Sequence, residues 1–482
     1  MVSPFSRRRS SRFTLILPAL VFAGCATNPK ASLPAVQEAV AARSGLNATW
    51  PQSAAEKDEA DHAVTALLAA ELTPENAVQI AVLNNRDLRA TFEELGVSQA
   101  DLVAASRLRN PTFGASVRWP NERPRGPNVE LSLVSDLLDG LLLPLRKQVA
   151  RDQLGQAEQR VAHAVLALAA QVKAAAYTVQ AREQFRLRLV AIGEVNEAAA
   201  DLAQRQYDAG NINRLELVNQ QLVARQAHLE LMRTEAQMRS DREKFNRLLG
   251  LSSTRTNWKI AAELPGLPEA DPLPENVEDL AVEQRLDLAA LKSQVALAER
   301  ALNLKKKTRL LPASVSLGVD TERDPGGERV TGPRIDLALP IFDQGQADLA
   351  RLTAEFRRAT ANYEGLASDV RSHVREARDT LRAAREAAEY YEKTLLPQRR
   401  LLLRETLLHY NAMQRSNYEL LAEKERLLVA ERESIDALRD YWIARAELEM
   451  ALGGRIPGGT SAPAPAKNEA VETSPEHAHG KP

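Results

Sequence analysis

A chain of 482 residues with 63 basic and 64 acidic side chains, net charge −1, carries no overall field that would draw it to nucleic acid. Its hydrophobic content of 44% could fill more than one ordinary domain. Aromatic residues make up only 4%, and the abundance of Ala, Leu, Arg, Glu and Gln excludes a thick aromatic core in favour of long helices laid side by side.

Residues 1–24 place Arg7, Arg8, Arg9 and Arg12 before an uncharged run from Phe13 to Ala23. That run is too short to span a bilayer and predicts a secretory signal peptide. Val21-Phe22-Ala23-Gly24-Cys25 is similar to a bacterial lipobox, in which the signal is cut before the cysteine and its thiol is acylated, with palmitate as a typical chain. Phe22 stands where that motif usually has Leu. Cys25 is the only cysteine, so no internal disulfide forms in what should be an oxidising compartment. Residues 25–72, polar, Ala-rich and punctuated by Pro29, Pro34 and Pro51, read as a lipidated and extended N-terminal arm.

The first regular element opens at Thr73-Pro74-Glu75, an N-cap followed by Pro at the first helical position and an acidic first turn. It is expected to run to about Arg109, where Asn110-Pro111 stops it. The period then changes from helix to strand. Phe113, Ala115, Val117 and Trp119 alternate with Thr112, Gly114, Ser116 and Arg118, and Val129, Leu131 and Leu133 repeat the pattern after the turn-rich residues 120–127. From Leu145 to Ala209 the chain has no proline, and as one helix that stretch is roughly 98 Å long. A turn at Asp208-Ala209-Gly210-Asn211 leads into a second helix that Gly250 ends.

Residues 74–90, PENAVQIAVLNNRDLRA, return at 274–290 as PENVEDLAVEQRLDLAA, with eight of seventeen residues identical. The rest of the first half returns too. Val315, Leu317 and Val319, then Ile335, Leu337 and Leu339 after a loop over 322–333, predict a second hairpin. Helices over 346–409 and 417–452 repeat the helical pair, with a bend expected at Pro397. A period near 200 is far longer than that of solenoid repeats, so the chain is a duplicated domain. The expected units are residues 73–264 and 265–452, followed by a disordered tail over 453–482, in which His477 and His479 are too few and too close to make a metal site.

Helices of this length are stable only against neighbours along their whole length, as coiled coils. Four strands with one apolar face cannot close a barrel alone, and open edges in lipid leave unpaired backbone groups costing several kcal/mol each. If these strands lie in a membrane, several chains share one barrel, and three chains supply twelve strands.

The lipobox, the two PEN segments, the paired strand hairpins and the two long helical hairpins together resemble the TolC-like outer-membrane efflux protein family over residues 70–452. That resemblance implies a mainly α fold with a small β part. Duplicated antiparallel coiled-coil hairpins would form a periplasmic α-barrel, and four strands per chain would contribute to a trimeric transmembrane β-barrel. It also implies a homotrimer in the cell outer membrane, lipid-anchored and extending into the periplasm, with a periplasmic adaptor protein and an inner-membrane, proton-driven pump of the RND type as partners. The implied function is passive exit of drugs, small toxic compounds or metal ions, without cofactor or catalysis. A type I protein-secretion duct is the alternative within the class, and a lipid-anchored coiled-coil scaffold with no pore is the alternative outside it. Within the resemblance, Tyr410, Arg415 and Glu419 align with gate-lining residues at the tip of the second repeat. Arg214 and Glu216 occupy the corresponding turn of the first repeat. Ala422 stands where the family has a further Asp, and Met413 where it has Gly. An i,i+4 helix pair is the competing explanation for Arg415 and Glu419.

Overall fold

The computed structural model describes residues 28–119, 121, 126–252, 255–273, 275–309, 312 and 314–456. Cys25, the expected signal peptide and the histidines of the tail lie outside them.

Two helices, α1 (Leu33–Ser44) and α2 (Ala54–Ala69), occupy the segment expected to be an extended arm. The signals for them are local. Ser53 and Glu56 form a reciprocal capping box at the start of α2, and Gly45 closes α1 with φ +66°. Val36, Val40, Trp50 and Val64 are buried, and Trp50 stacks on Phe92 at 5.9 Å. The apolar spacing is sparse but real, and packing against the body settles it.

The helix expected over 73–109 is broken in two, α3 (Pro74–Asn84) and α4 (Arg86–Ala105). Asn85 between them is extended, and its side chain caps α4 by accepting from the Leu88 N–H. The second repeat breaks at the matching place, with α7 (Val277–Gln284) and α8 (Leu286–Thr308) separated by an extended Arg285. Neither break contains Pro or Gly, which is why periodicity did not reveal it. Tertiary contacts hold it: Asn84 Nδ2 donates to the Leu249 and Gly250 carbonyls at 3.0 and 2.8 Å, and Asn85 Nδ2 to Leu248 at 2.8 Å.

Strands β1 (Thr112–Arg118), β2 (Asn128–Asp136), β3 (Val315–Arg323) and β4 (Arg329–Leu337) form one antiparallel sheet in sequence order. The second hairpin is tighter than expected. Only residues 324–328 turn, with the Asp324 carboxylate accepting from the Glu328 N–H at 2.9 Å and Gly327 at φ +95°. Thr321 and Thr331 pair across it at 2.8 Å. Pro333, opposite Val319, lies in the edge strand β4, the position in a sheet that tolerates proline.

From the sheet the chain enters α5 (Leu137–Asp208), whose 72 residues span about 108 Å. It starts before Pro144 rather than after it. Asp136 caps the Leu138 and Asp139 N–H groups, and the carbonyl that the proline ring crowds belongs to Gly140. The return helix α6 (Arg214–Leu249) completes the first hairpin. In the second, α9 (Gln346–Tyr390), one π-wound turn (Tyr391–Leu395) and α10 (Leu396–Asn411) run out, and α11 (Asn417–Leu452) runs back.

Three of the chain's four tryptophans are buried, Trp50 and Trp258 in one core cluster and Trp442 in the other, so few aromatics serve both cores. Trp258 packs edge-on against Phe245 at 5.3 Å and donates to Asn246 Oδ1 at 2.8 Å. Trp442 stacks on Tyr177 at 5.4 Å and donates to the Pro265 carbonyl at 2.8 Å. The strap between repeats is fastened at Asp271. Its carboxylate accepts from Tyr441 Oη at 2.9 Å and pairs with Arg385 at 2.8 Å and Arg445 at 3.3 Å. Burial pushes the Tyr441 phenol up to about 12, so it stays a donor to Asp271 at any physiological pH.

Candidate functional site

The strand register sorts every side chain to one of two faces. Residues directly opposite one another share a face, so Phe113, Ala115 and Val117 stand with Val129, Leu131 and Leu133, then Leu317 and Val319, then Ile335 and Leu337, with Thr321, Arg323, Arg329 and Thr331 ending the face at the tight turn. Phe113, Leu133, Val319 and Ile335 are all more than half exposed. A contiguous apolar face of this size marks a surface meant for lipid or protein. The opposite face carries Arg118, Glu130, Asp320, Glu322, Arg334 and Asp336. Arg118 pairs with Glu130 at 2.6 Å, Asn128 donates to Glu322 at 2.6 Å, and Arg334 bridges Asp336 at 2.9 Å and Asp320 at 3.5 Å. With Asp136, opposite Ser316 on the same face, five carboxylates against two guanidiniums leave it net acidic. Both outer strands present an open edge, and β-structure with one apolar and one charged face is stable in lipid only when those edges are closed.

At the far end of the helices the two hairpin turns are built alike. Gly210 and Met413 both adopt the left-handed conformation, at φ +78° and +58°. Met413 is the one residue other than glycine to do so among the described residues, and its side chain is 95% exposed. Asn213 and Ser416 then cap the return helices through the N–H groups of Glu216 and Glu419. Tyr207 and Tyr410 are equally exposed one turn before the bend.

Of the residues singled out from sequence, Arg415 and Glu419 are brought together, Arg415 Nη1 to Glu419 Oε1 at 2.5 Å. The other oxygen of Glu419 accepts from the Ser416 backbone N–H at 2.9 Å and its hydroxyl at 3.2 Å. The Ser416 backbone N–H, and then Arg415, hold the Glu419 carboxyl below its ordinary value. Glu419 is therefore a helix cap and an ion-pair partner at once, so the i,i+4 pair expected from sequence is present. Arg214 is exposed and Glu216 half-buried, and no ion pair among the described residues joins one turn to the other. Among the described residues no cluster of three or more His, Cys, Asp or Glu side chains is placed to hold a metal ion.

No family model matches the chain. It is 23% identical over 395 residues to the cobalt-zinc-cadmium resistance protein CzcC of Cupriavidus metallidurans, covering 80% of this chain and 91% of that one. Among solved structures, CusC superposes with a TM-score of 0.66 at 16% identity, covering 80% of this chain and 93% of that one. The CmeC outer membrane channel of Campylobacter jejuni superposes with a TM-score of 0.66 at 15% identity, covering 85% and 90%. The fold is thus shared with these two solved structures over nearly their full length. The chain has the fold of these solved outer-membrane channel structures.

Proposed function

We propose that this protein is the outer-membrane channel of a tripartite efflux system, a passive duct and not an enzyme. The observation that carries the reading is the four-stranded sheet, apolar on one face, charged on the other and open at both edges, set at one end of a helical body about 100 Å long. Three copies close twelve strands into a barrel with the apolar face to lipid and the charged face to water. The units are residues 73–264 and 265–452, one strand hairpin and one helical hairpin each. The energy for export comes from an inner-membrane, proton-driven pump reached through a periplasmic adaptor. The acidic strand face favours cationic cargo, in keeping with a relative named for cobalt, zinc and cadmium resistance.

Tyr410, Arg415 and Glu419 form the narrow end of the duct, with Arg214 and Glu216 beside them. Reconstituted into planar bilayers, the trimer should conduct with a reversal potential favouring cations in a salt gradient. Changing Arg415 and Glu419 together to Ala should raise the fraction of time spent open about tenfold, the effect of about 1.4 kcal/mol. A trimer that stays silent even in the double variant overturns the channel reading. The pH dependence follows from Glu419. A carboxyl held below its ordinary value stabilises the turn fully above that value and loses the contribution only as pH falls through the lowered one. Acid should therefore mimic Glu419→Ala below the usual carboxylate range, with no change between neutrality and mild acidity.

Cys25, outside the described residues, is proposed as the acylation site on the lipobox-like Val21–Cys25, which would hold each protomer at the periplasmic face of the outer membrane. Cys25→Ser should abolish incorporation of labelled palmitate. Undiminished labelling would reject the anchor.

A further inference from the structure

On the charged face of the sheet each described guanidinium has a carboxylate beside it: Arg118 meets Glu130, and Arg334 meets Asp336 and Asp320. The apolar face ends differently. Arg323 closes β3, Arg329 opens β4, and the register sets them directly opposite one another across the tight turn. Both are exposed, and among the described residues neither side chain forms an ion pair or a hydrogen bond. Residues so placed have Cβ atoms about 4.5–5.5 Å apart, and like charges directly opposite destabilise the strand pair. The nearby carboxylates do not relieve this. Asp324 holds the turn by accepting from the Glu328 N–H at 2.9 Å, and Glu322 lies on the other face, where Asn128 donates to it at 2.6 Å.

The two arginines also stand at a defined height. Strand β3 has nine residues, which at about 3.3 Å per residue put Arg323 roughly 26 Å along the strand from Val315. A tilt of 35–45° turns that into about 20 Å of height, close to the 25 Å apolar band of a membrane barrel. With Leu317, Val319, Ile335 and Leu337 inside the band, Arg323 and Arg329 reach its border, where headgroups begin. Trp119 continues the apolar face of β1 past Val117 at the same end and is 73% exposed. When copies close the barrel by joining β4 of one to β1 of the next, that aromatic ring comes to the same border as Arg329, the level where aromatic girdles sit.

We propose that Arg323 and Arg329 together hold the phosphate monoester of a lipid in the outer leaflet, one site per protomer, with the acyl chains of that lipid lying on the apolar face below. This rests on the channel reading above, which puts the tight turn on the outer side of the membrane. A guanidinium fork matches the oxygens of a phosphate. A monoester carries a charge of about −1.5 to −2 at neutral pH and three acceptor oxygens, enough for two forks, whereas the diester of an ordinary phospholipid brings a single charge. The repulsion between the arginines then becomes the source of affinity, since the bound anion removes it.

The test uses the purified trimer in detergent, titrated with a bisphosphorylated glycolipid, the same glycolipid stripped of phosphate, phosphatidylglycerol, and inorganic phosphate. The wild type should bind the bisphosphorylated glycolipid best. Arg323→Gln with Arg329→Gln should weaken that binding at least about tenfold, Arg329→Gln alone should weaken it less, and Arg334→Gln on the charged face should leave it unchanged. Without lipid the double variant should resist unfolding at least as well as the wild type, because a like-charge pair has gone. Equal affinity in the double variant would overturn the site. So would equal binding of the stripped glycolipid or of phosphatidylglycerol, or inorganic phosphate held as tightly as the lipid. A trimer that binds the glycolipid through these arginines but never conducts would remove the duct and leave the site standing; one that conducts without arginine-dependent binding would remove the site alone.

Discussion

Leu133→Arg should remove the protein from the outer membrane. Leu133 lies mid-sheet on the apolar face, opposite Phe113 on one side and Val319 on the other, and more than half of its surface is open in the single chain. An arginine facing lipid near the bilayer midplane costs about 2–4 kcal/mol, and in the proposed trimer three protomers carry it at once, so the assembled barrel would lose roughly 6–12 kcal/mol. That is comparable to the whole stability of an ordinary domain. The neighbouring position turns this into a test of which face meets lipid. Ser132 lies on the charged face, opposite Gly114 and Asp320, so Ser132→Arg places its guanidinium in water beside an acidic side chain. The first variant should be absent from outer-membrane fractions and from detergent-resistant trimers; the second should be found in both near wild-type amounts. Equal recovery of the two would mean that the sheet does not lie in a bilayer, and would favour the poreless scaffold.

How much of this was legible beforehand follows the range of the forces involved. Alternation from Thr112 to Trp119 and again from Val315 gave the strands, because the pleat writes its period of two directly into the chain. The long helices were legible for the same reason, with ends at Gly210, Gly250 and Gly453 that need a left-handed residue. What was missed depends on contacts between distant segments. Asn85 and Arg285 look like ordinary helix residues, and they break their helices because the ends of α6 and α11 dock on them. The fastening of Asp271 by Arg385, Arg445 and Tyr441 joins residues more than a hundred positions apart. The segment before residue 73 was read as extended because its prolines outweighed a capping box that was present in the sequence. At the tip, Arg415 and Glu419 were found through the repeat and the resemblance. The cap that Glu419 shares with Ser416 was written in the Ser-x-x-Glu spacing and passed over. Pro397 marked the right place on the helix, but the π-wound turn just before it, Tyr391–Leu395, has no signal in the apolar period.

Those docked glycines give the second large effect. Gly250 sits at φ +69°, and a Cβ built on it would stand 2.5 Å from the Asn84 carbonyl oxygen and 2.9 Å from its carbon. A left-handed alanine alone costs about 1–2 kcal/mol. The clash is with backbone, which cannot rotate aside, so the segment Asn84–Asn85 must retreat. Its retreat stretches the three side-chain hydrogen bonds that the two asparagines make to Leu248, Leu249 and Gly250, each worth about 1 kcal/mol. Gly250→Ala should thus lose roughly 3–5 kcal/mol, in the range reserved for broken core packing. Gly453 makes the matching contact in the second repeat, but its nearest approach, 3.0 Å to Arg285 Cα, is looser, so Gly453→Ala should cost about 2–3 kcal/mol. Gly210 shares the left-handed conformation but has nothing within 4 Å of its Cβ position, which limits Gly210→Ala to the conformational part, about 1–2 kcal/mol. Denaturant unfolding of the three variants in detergent should follow that order. If Gly210→Ala proved as damaging as Gly250→Ala, backbone conformation alone would explain both. The locking of each long hairpin onto the helix break at its base would then have no measurable part in holding each repeat together.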